Sequence, residues 1–405
     1  MKKLYIFLIA LFALNNINAQ WIKQNSNDIY DLYYCFFTSA DTGYAFTDFS
    51  FVKTTDGGAT WTYNTIPYLQ HSICSIYFTD ANTGYTANEK GWIYKTTDGG
   101  ITWGYQDSGT TEDLYSVFFT GKDTGYIVGN SGIILKTTNG GALWTNQNSG
   151  TLLPLFSVYF VDANTGFAAG GSYYPGGGSV VLKTTNGGNS WTSLPAGTLY
   201  TFFKVFFVNA DTGFAITDSV NWGRILKTTD GGNNWTIINM NFNNRFTSLY
   251  FLNADLGYAT DEGPSILKTT NGGNDWIRQY SGYSNCDFYS IYFLNADTGY
   301  AVGINGAIVK TTNGGGYPLG VNELHSASDL LKIFPNPASD KIIVETSETS
   351  SSGTLSILNL NGQELMQETI KKTPAQIDIS TLPSGLYVVK LTGERLVQVG
   401  KVVKE

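Results

Sequence analysis

Lys53-Thr54-Thr55-Asp56-Gly57-Gly58-Ala59-Thr60-Trp61 decides the fold, because the chain repeats its pattern seven times. Lys-Thr-Thr recurs at Lys53, Lys95, Lys136, Lys183, Lys227, Lys268 and Lys310, with spacings of 42, 41, 47, 44, 41 and 42 residues. A period of about 40–50 residues made of short β runs is that of a four-stranded propeller blade. Each copy reads alike. A strand such as Ser290–Phe293 runs into the turn Asn295-Ala296-Asp297-Thr298-Gly299, then into a second strand from Tyr300. A third strand ends in Lys-Thr-Thr, and a Gly-Gly turn leads to Trp and the fourth. The first turn carries Gly43, Gly84, Gly125, Gly166, Gly213, Gly257 and Gly299, where glycine is expected to supply a positive φ.

The tryptophans set the blade count. Trp61, Trp103, Trp144, Trp191, Trp235 and Trp276 each follow their lysine by eight residues, but the seventh copy runs Asn313-Gly314-Gly315-Gly316-Tyr317-Pro318 without one. The missing piece stands at the other end, where Trp21-Ile22-Lys23-Gln24-Asn25-Ser26 parallels Trp144-Thr145-Asn146-Gln147-Asn148-Ser149. The expected fold is therefore all-β: a seven-bladed β-propeller whose N-terminal strand closes the last blade, plus a small C-terminal β-sandwich. Pairing the two open edges closes the ring.

The Gly-Gly turn resembles the Asp-box of sialidases and related propellers, Ser/Thr-x-Asp-x-Gly-x-Thr-Trp. Thr54, Asp56, Gly58, Thr60 and Trp61 match every fixed position; Asp98 and Asp230 keep the acid, while Asn139, Asn186, Asn271 and Asn313 replace it. A short acceptor side chain caps backbone N–H groups of the turn, which asparagine also does, so the motif is read as structural. The repeated lysine is expected to lay its stem along the sheet and its ammonium against acids of nearby turns. Together with the Thr-Gly-Tyr turn, residues 20–317 resemble the photosystem II stability/assembly factor class. Xyloglucan-degrading enzymes also use seven-bladed Asp-box propellers, so the resemblance implies a fold and leaves the activity open.

Composition agrees with the β reading. Aromatic residues make up 15% and charged residues 14% of the 405, with 46 glycines. Residues 1–19 read as a signal peptide, with Lys2-Lys3, an apolar run from Leu4 to Leu14, and Ala19 at the cut. No later run is long enough for a transmembrane segment. The formal net charge is −8, and without the two leader lysines the excess falls on residues 20–329. Seven of the basic residues there are the repeated lysine, so nucleic acid is not an expected partner. Cys35, Cys74 and Cys286 allow at most one internal disulfide. Cys35 and Cys74 occupy equivalent strands of neighbouring copies and are the possible pair; buried, unbonded thiols are the alternative.

The repeat stops near Gly316, and residues 318–329 form a polar linker. From 330 to 405 the character changes, with strand-like runs at Ile342–Glu345, Leu355–Leu358 and Gly385–Leu391. Phe334-Pro335-Asn336-Pro337, Ser356-Ile357-Leu358-Asn359 with Asn361-Gly362, Leu382-Pro383-Ser384-Gly385-Leu386-Tyr387-Val388 and Lys401-Val402-Val403-Lys404 resemble the type A sorting domain of the type IX secretion system of Bacteroidetes. The resemblance implies a partner in the secretion machinery. It also implies a protein released from the cell or displayed on the outer-membrane surface, after signal-peptide export to the periplasm.

Chemistry is sparse. Only His71 and His325 occur, with no zinc-type spacing and no Gly-x-Ser-x-Gly elbow. Arg224, Arg245 and Arg278 are the only propeller arginines, which does not suit a sialidase. No cofactor and no metal site is read. On the face formed by the loops after the second and fourth strands, Asp48, Asp218, Asp261 and Glu262 are the candidate carboxylates for a glycosidase. Tyr173, Tyr174, Trp222 and Trp92 are the candidate ligand-binding aromatics. The reading favours a non-catalytic binding propeller for a glycan or a protein. A polysaccharide-degrading glycoside hydrolase and an assembly or scaffold factor remain as alternatives.

Overall fold

A computed structural model describes residues 21–26, 30–67, 69–172, 177–197, 200–218, 223–238, 245–316, 331–345, 353–359, 364–392 and 397–405. The chain divides into two compact units, Met1–Gly316 and Tyr317–Glu405.

The first unit holds seven four-stranded antiparallel sheets. Blade 1 takes Tyr34–Phe37, Gly43–Phe46, Ser50–Thr54 and Thr62–Thr65, from axis to rim. Blades 2 to 6 repeat this plan from the innermost strands Ile73–Phe78, Leu114–Phe119, Leu155–Phe160, Thr201–Phe207 and Phe246–Phe251. Blade 7 supplies Phe288–Phe293, Gly299–Gly303 and Ile308–Thr311, and borrows Ile22–Gln24 as its outermost strand. Ile22 lies opposite Lys310 and Gln24 opposite Ile308. Trp21 is buried, and its Nε1 donates to Gln279 Oε1 of blade 6 at 2.9 Å. The clasp expected from the misplaced tryptophan is present.

One aromatic joint holds each pair of blades. The last phenylalanine of an innermost strand stacks on the ring beginning the second strand of the preceding blade. Phe37 meets Tyr300 at 3.8 Å between centroids, Phe119 meets Tyr85 at 4.1 Å and Phe207 meets Phe167 at 3.5 Å. The blade's own tryptophan meets that phenylalanine edge-on, as in Trp61–Phe37 and Trp21–Phe293. This joint corrects the reading of the first-turn glycines. Gly43, Gly84, Gly125, Gly166, Gly213, Gly257 and Gly299 do not have positive φ. They are glycine because the phenylalanine ring lies over them: a Cβ on Gly125 would sit 2.5 Å from the Phe119 ring. The positive φ belongs to the later Gly-Gly pair, as at Gly57 and Gly58.

That pair explains the lysines, which also differ from expectation. Lys53 Nζ donates to Gly99 O of the next blade at 2.8 Å, Lys95 to Gly140 O at 2.7 Å and Lys310 to Gly57 O at 2.7 Å. Lys136 of blade 3 donates instead to Asn189 Oδ1 at 2.9 Å; in blades 1, 2 and 7 the acceptor is a backbone carbonyl that the left-handed turn points at the neighbouring blade. The tyrosine beside each of these lysines reaches the same oxygen, as Tyr85 does at 2.9 Å and Tyr300 at 2.8 Å. Blades 4 and 5 carry Phe167 and Phe214 there. Within the turn, Thr60 N and Oγ1 donate to Asp56, and Gly58 N donates to Thr54 Oγ1. The hydrogen bonds from Thr60 hold the Asp56 carboxyl down at about 2. Asn139 accepts from Leu143 N at 3.0 Å in the same way.

All three cysteines are free. Pairing sets Phe37 opposite Gly43 and Phe78 opposite Gly84, so Cys35 corresponds to Ile76 and Cys74 to Tyr33. The strands are equivalent but the positions are not. Burial pushes the thiols of Cys35, Cys74 and Cys286 up to about 12.

The second unit packs a three-stranded sheet, Lys332–Phe334, Lys341–Glu345 and Ala375–Asp378, with a four-stranded one, Glu364–Ile370, Gly353–Leu358, Gly385–Thr392 and Val397–Lys404. Ile342, Val344, Leu355, Ile357, Ile377, Val389 and Val402 form their shared core. Asn336 brackets the terminal strand: its Nδ2 donates to Lys401 O and its Oδ1 accepts from Val403 N, both at 2.9 Å.

Candidate functional site: the axial mouth

Six of the seven innermost strands begin with a β-bulge. The extra residue is Cys74, Tyr115, Phe156, Phe203, Thr247 or Tyr289, and Tyr33 holds the matching place in blade 1. A bulge re-aims a side chain at the rim of a closed sheet system. Here it gathers half-buried rings at one end of the axis. Tyr33 stacks on Tyr289 at 5.1 Å, and Phe156 lies 5.2 Å from Tyr115 and 5.1 Å from Phe203.

Carboxylates surround these rings. The Tyr33 hydroxyl donates to Asp31 Oδ2 at 3.5 Å, and Asp31 Oδ1 accepts from Asn305 N of blade 7 at 2.9 Å. Burial, then Asp48 and Asp31, raise the Tyr33 phenol. Burial, then Asp31, Asp287, Tyr33 and Glu262, push Tyr289 up to about 12. Asp48 is itself raised by burial, Glu89 and Asp31. The Cys74 thiol senses Glu89, Asp113 and Asp48. Acids from blades 1, 2, 3, 6 and 7 thus act on one mouth. Among the described residues, the cations paired with these acids are Lys90, 3.9 Å from Asp113, and Arg245, 3.3 Å from Glu262.

The residues singled out from sequence divide accordingly. Asp48 stands in the acidic mouth, and Glu262 at its edge is exposed and paired with Arg245. Asp261 is wholly buried at the end of Gly257–Asp261. Asp218 ends Gly213–Asp218, opposite Thr201; its side chain lies outside the described residues, as do Tyr173, Tyr174 and Trp222. Trp92 is half-buried among Tyr105 at 4.7 Å, His71 at 5.6 Å and Tyr94 at 5.9 Å, toward the outer strands of blade 2 and apart from the mouth rings. Sequence reading missed Tyr33, Tyr289, Asp31, Glu89, Asp113 and Asp287. Aligning the copies at the residue before each innermost serine finds the rings, and two residues earlier finds three of the acids. Among the described residues no group of three or more His, Cys, Asp or Glu could hold a metal ion, and no helix is long and apolar enough to cross a membrane.

Residues 332–405 match the family model described as the secretion system C-terminal sorting domain, and residues 66–156 and 103–200 match that of the photosynthesis system II assembly factor YCF48. No curated protein matches the chain. Among solved structures, YCF48 bound to D1 peptide is similar with a TM-score of 0.61 and 19% identity, over 73% of this chain and 99% of that one. The GH74 enzyme of Niastella koreensis has a TM-score of 0.57 at 14% identity, over 94% of this chain and 66% of that one. PorZ of Porphyromonas gingivalis, a surface component of the type IX secretion system, has a TM-score of 0.57 at 13% identity, over 93% of this chain and 59% of that one. At such identities the structures speak for the fold alone. The chain is a β-propeller similar to the YCF48 assembly-factor class, followed by a C-terminal sorting domain of the type IX secretion system, which marks it for secretion or the cell surface.

Proposed function

We propose that this protein is a secreted or surface-displayed binding propeller without catalytic activity, and that its axial mouth grips a protein segment bearing basic side chains. The observation that carries this is the stacked Tyr33–Tyr289 pair set among Asp31, Asp48, Glu262 and Asp287. Rigid aromatic faces beside carboxylates suit Lys and Arg side chains, through cation–π contact and charge together. YCF48, whose structure holds a D1 peptide, supports a peptide over a glycan.

The test is a binding screen of the exported chain against peptide and glycan arrays, with Tyr289→Ala and Asp31→Asn beside the parent. Capture of basic peptides, weakened about tenfold or more by Tyr289→Ala and by added salt, is the expected result. Capture of neutral glycans alone would overturn the peptide reading. One observation favours a second reading, a glycoside hydrolase: the raised carboxyl of Asp48 is what a general acid needs. Reducing sugar released from a polysaccharide by the parent and not by Asp48→Asn would establish it.

A further inference from the structure

Below the mouth the innermost strands turn two more tiers of side chains toward the axis, two residues apart on the same face. The deeper tier is a closed circle of rings. Phe36, Tyr77, Phe118, Tyr159, Phe206, Tyr250 and Tyr292 follow one another with centroids 5.3, 5.2, 5.1, 4.7, 5.5 and 5.3 Å apart, and Tyr292 returns to Phe36 at 5.2 Å. A regular heptagon with that spacing has a radius of about 6 Å, so the rings constrict the axis.

The tier between mouth and constriction is Tyr34, Ser75, Ser116, Ser157, Lys204, Ser248 and Ser290. Five of the seven are serine, and their oxygens are already used as acceptors. Ser75 Oγ accepts from Val117 N, Ser116 from Val158 N, Ser157 from Val205 N, Ser248 from Ile291 N and Ser290 from Cys35 N, at 3.1–3.4 Å. Ser248 Oγ also accepts from Lys204 Nζ at 2.8 Å, and Ser290 Oγ from the Cys35 thiol at 3.5 Å. A hydroxyl has one proton to give, so each of these serines is left with a donor. Lys204 adds an ammonium with protons to spare. Among the described residues no acid pairs with it, and burial lowers its affinity for a proton. A half-buried ammonium, with Ser248 Oγ as its acceptor and protons left over, and five serine hydroxyl protons thus face one axis, and a charge held largely out of water without a counter-charge is costly.

We propose that the axial channel binds one small monovalent anion, held by the Lys204 ammonium and the hydroxyl protons of the serine tier. The site stands on different residues from the mouth, so it can fail without touching the proposed ligand, and the reverse. It sits where the mouth's acids disfavour an anion left in the entrance but the lysine favours one beyond them.

Crystals of the full chain soaked in bromide test this directly. The expected result is one anomalous peak on the axis, within hydrogen-bonding distance of Lys204 Nζ and the ring serines. In Lys204→Met the peak should vanish and bromide affinity fall about tenfold or more; Lys204→Gln serves if the methionine variant does not fold. An intact serine tier without bromide in the parent would overturn the proposal. So would a peak of equal strength in the lysine variants, which would mean an adventitious ion only.

Discussion

A Cβ at Gly125 would lie 2.5 Å from the Phe119 ring, which itself stacks on Tyr85 of the preceding blade. The ring cannot yield without leaving its stack. Gly125→Ala is therefore expected to cost about 1–3 kcal/mol of stability, the range for overpacking a filled core. Gly121, in the same turn, has open space and no positive φ, so Gly121→Ala should stay within about 0.5 kcal/mol. Urea denaturation of the two variants separates them. The seven glycines were legible in the sequence, but their reason was not. Spacing shows that a side chain is forbidden; it does not show whether the backbone or a neighbouring ring forbids it. Asp48 and Asp261 make the same point for the site. Both acids read as loop candidates, and one ends in the mouth while the other is wholly buried.

At the scale of the element, the joint between blades has two polar arms, a lysine and a tyrosine, on one glycine carbonyl. In blade 4 the tyrosine is Phe167 and the lysine reaches no nearer than 3.5 Å to Ala210 O. Phe167→Tyr should place a hydroxyl by Gly231 O, as Tyr126 does on Gly187 O at 2.8 Å. The expected gain is about 0.5–1.5 kcal/mol, read as a higher urea midpoint at unchanged m-value. A loss would show that the neighbouring turn leaves no room for the oxygen. Strand order, blade number and period were all legible, since hydrophobic alternation and turn residues repeat. The lysine's acceptor was not. Sequence displays the acids of a turn, whereas the direction of a carbonyl depends on dihedrals such as the φ of 67° at Gly57. The mouth was hidden for a related reason: a bulge shifts one residue per strand out of alternation, and it leaves no fixed mark on residue type.

For the whole propeller, the decisive contact joins residues far apart in the chain. Trp21 Nε1 and Gln279 Oε1 are separated by 258 positions, and the short strand Ile22–Gln24 completes the last sheet. Trp21→Ala is expected to cost about 3–5 kcal/mol and to expose Lys23 to trypsin before any blade is cut. Unchanged melting and proteolysis would mean that the ring holds without its clasp. This closure was the most legible feature of the molecule, because one tryptophan too few at one end matched one too many at the other.

The clasp also bears on how the chain is made. Contacts of such long range form late and slowly, so blade 7 cannot be finished until its own three strands have been synthesised and brought back to Trp21. Until then two sheet edges stay open, and open edges invite wrong partners. The sorting domain follows the last of those strands in the chain. A molecule that offers its tail to the secretion machinery has therefore already had every strand of the ring translated. The address label doubles as proof that the cargo was made in full.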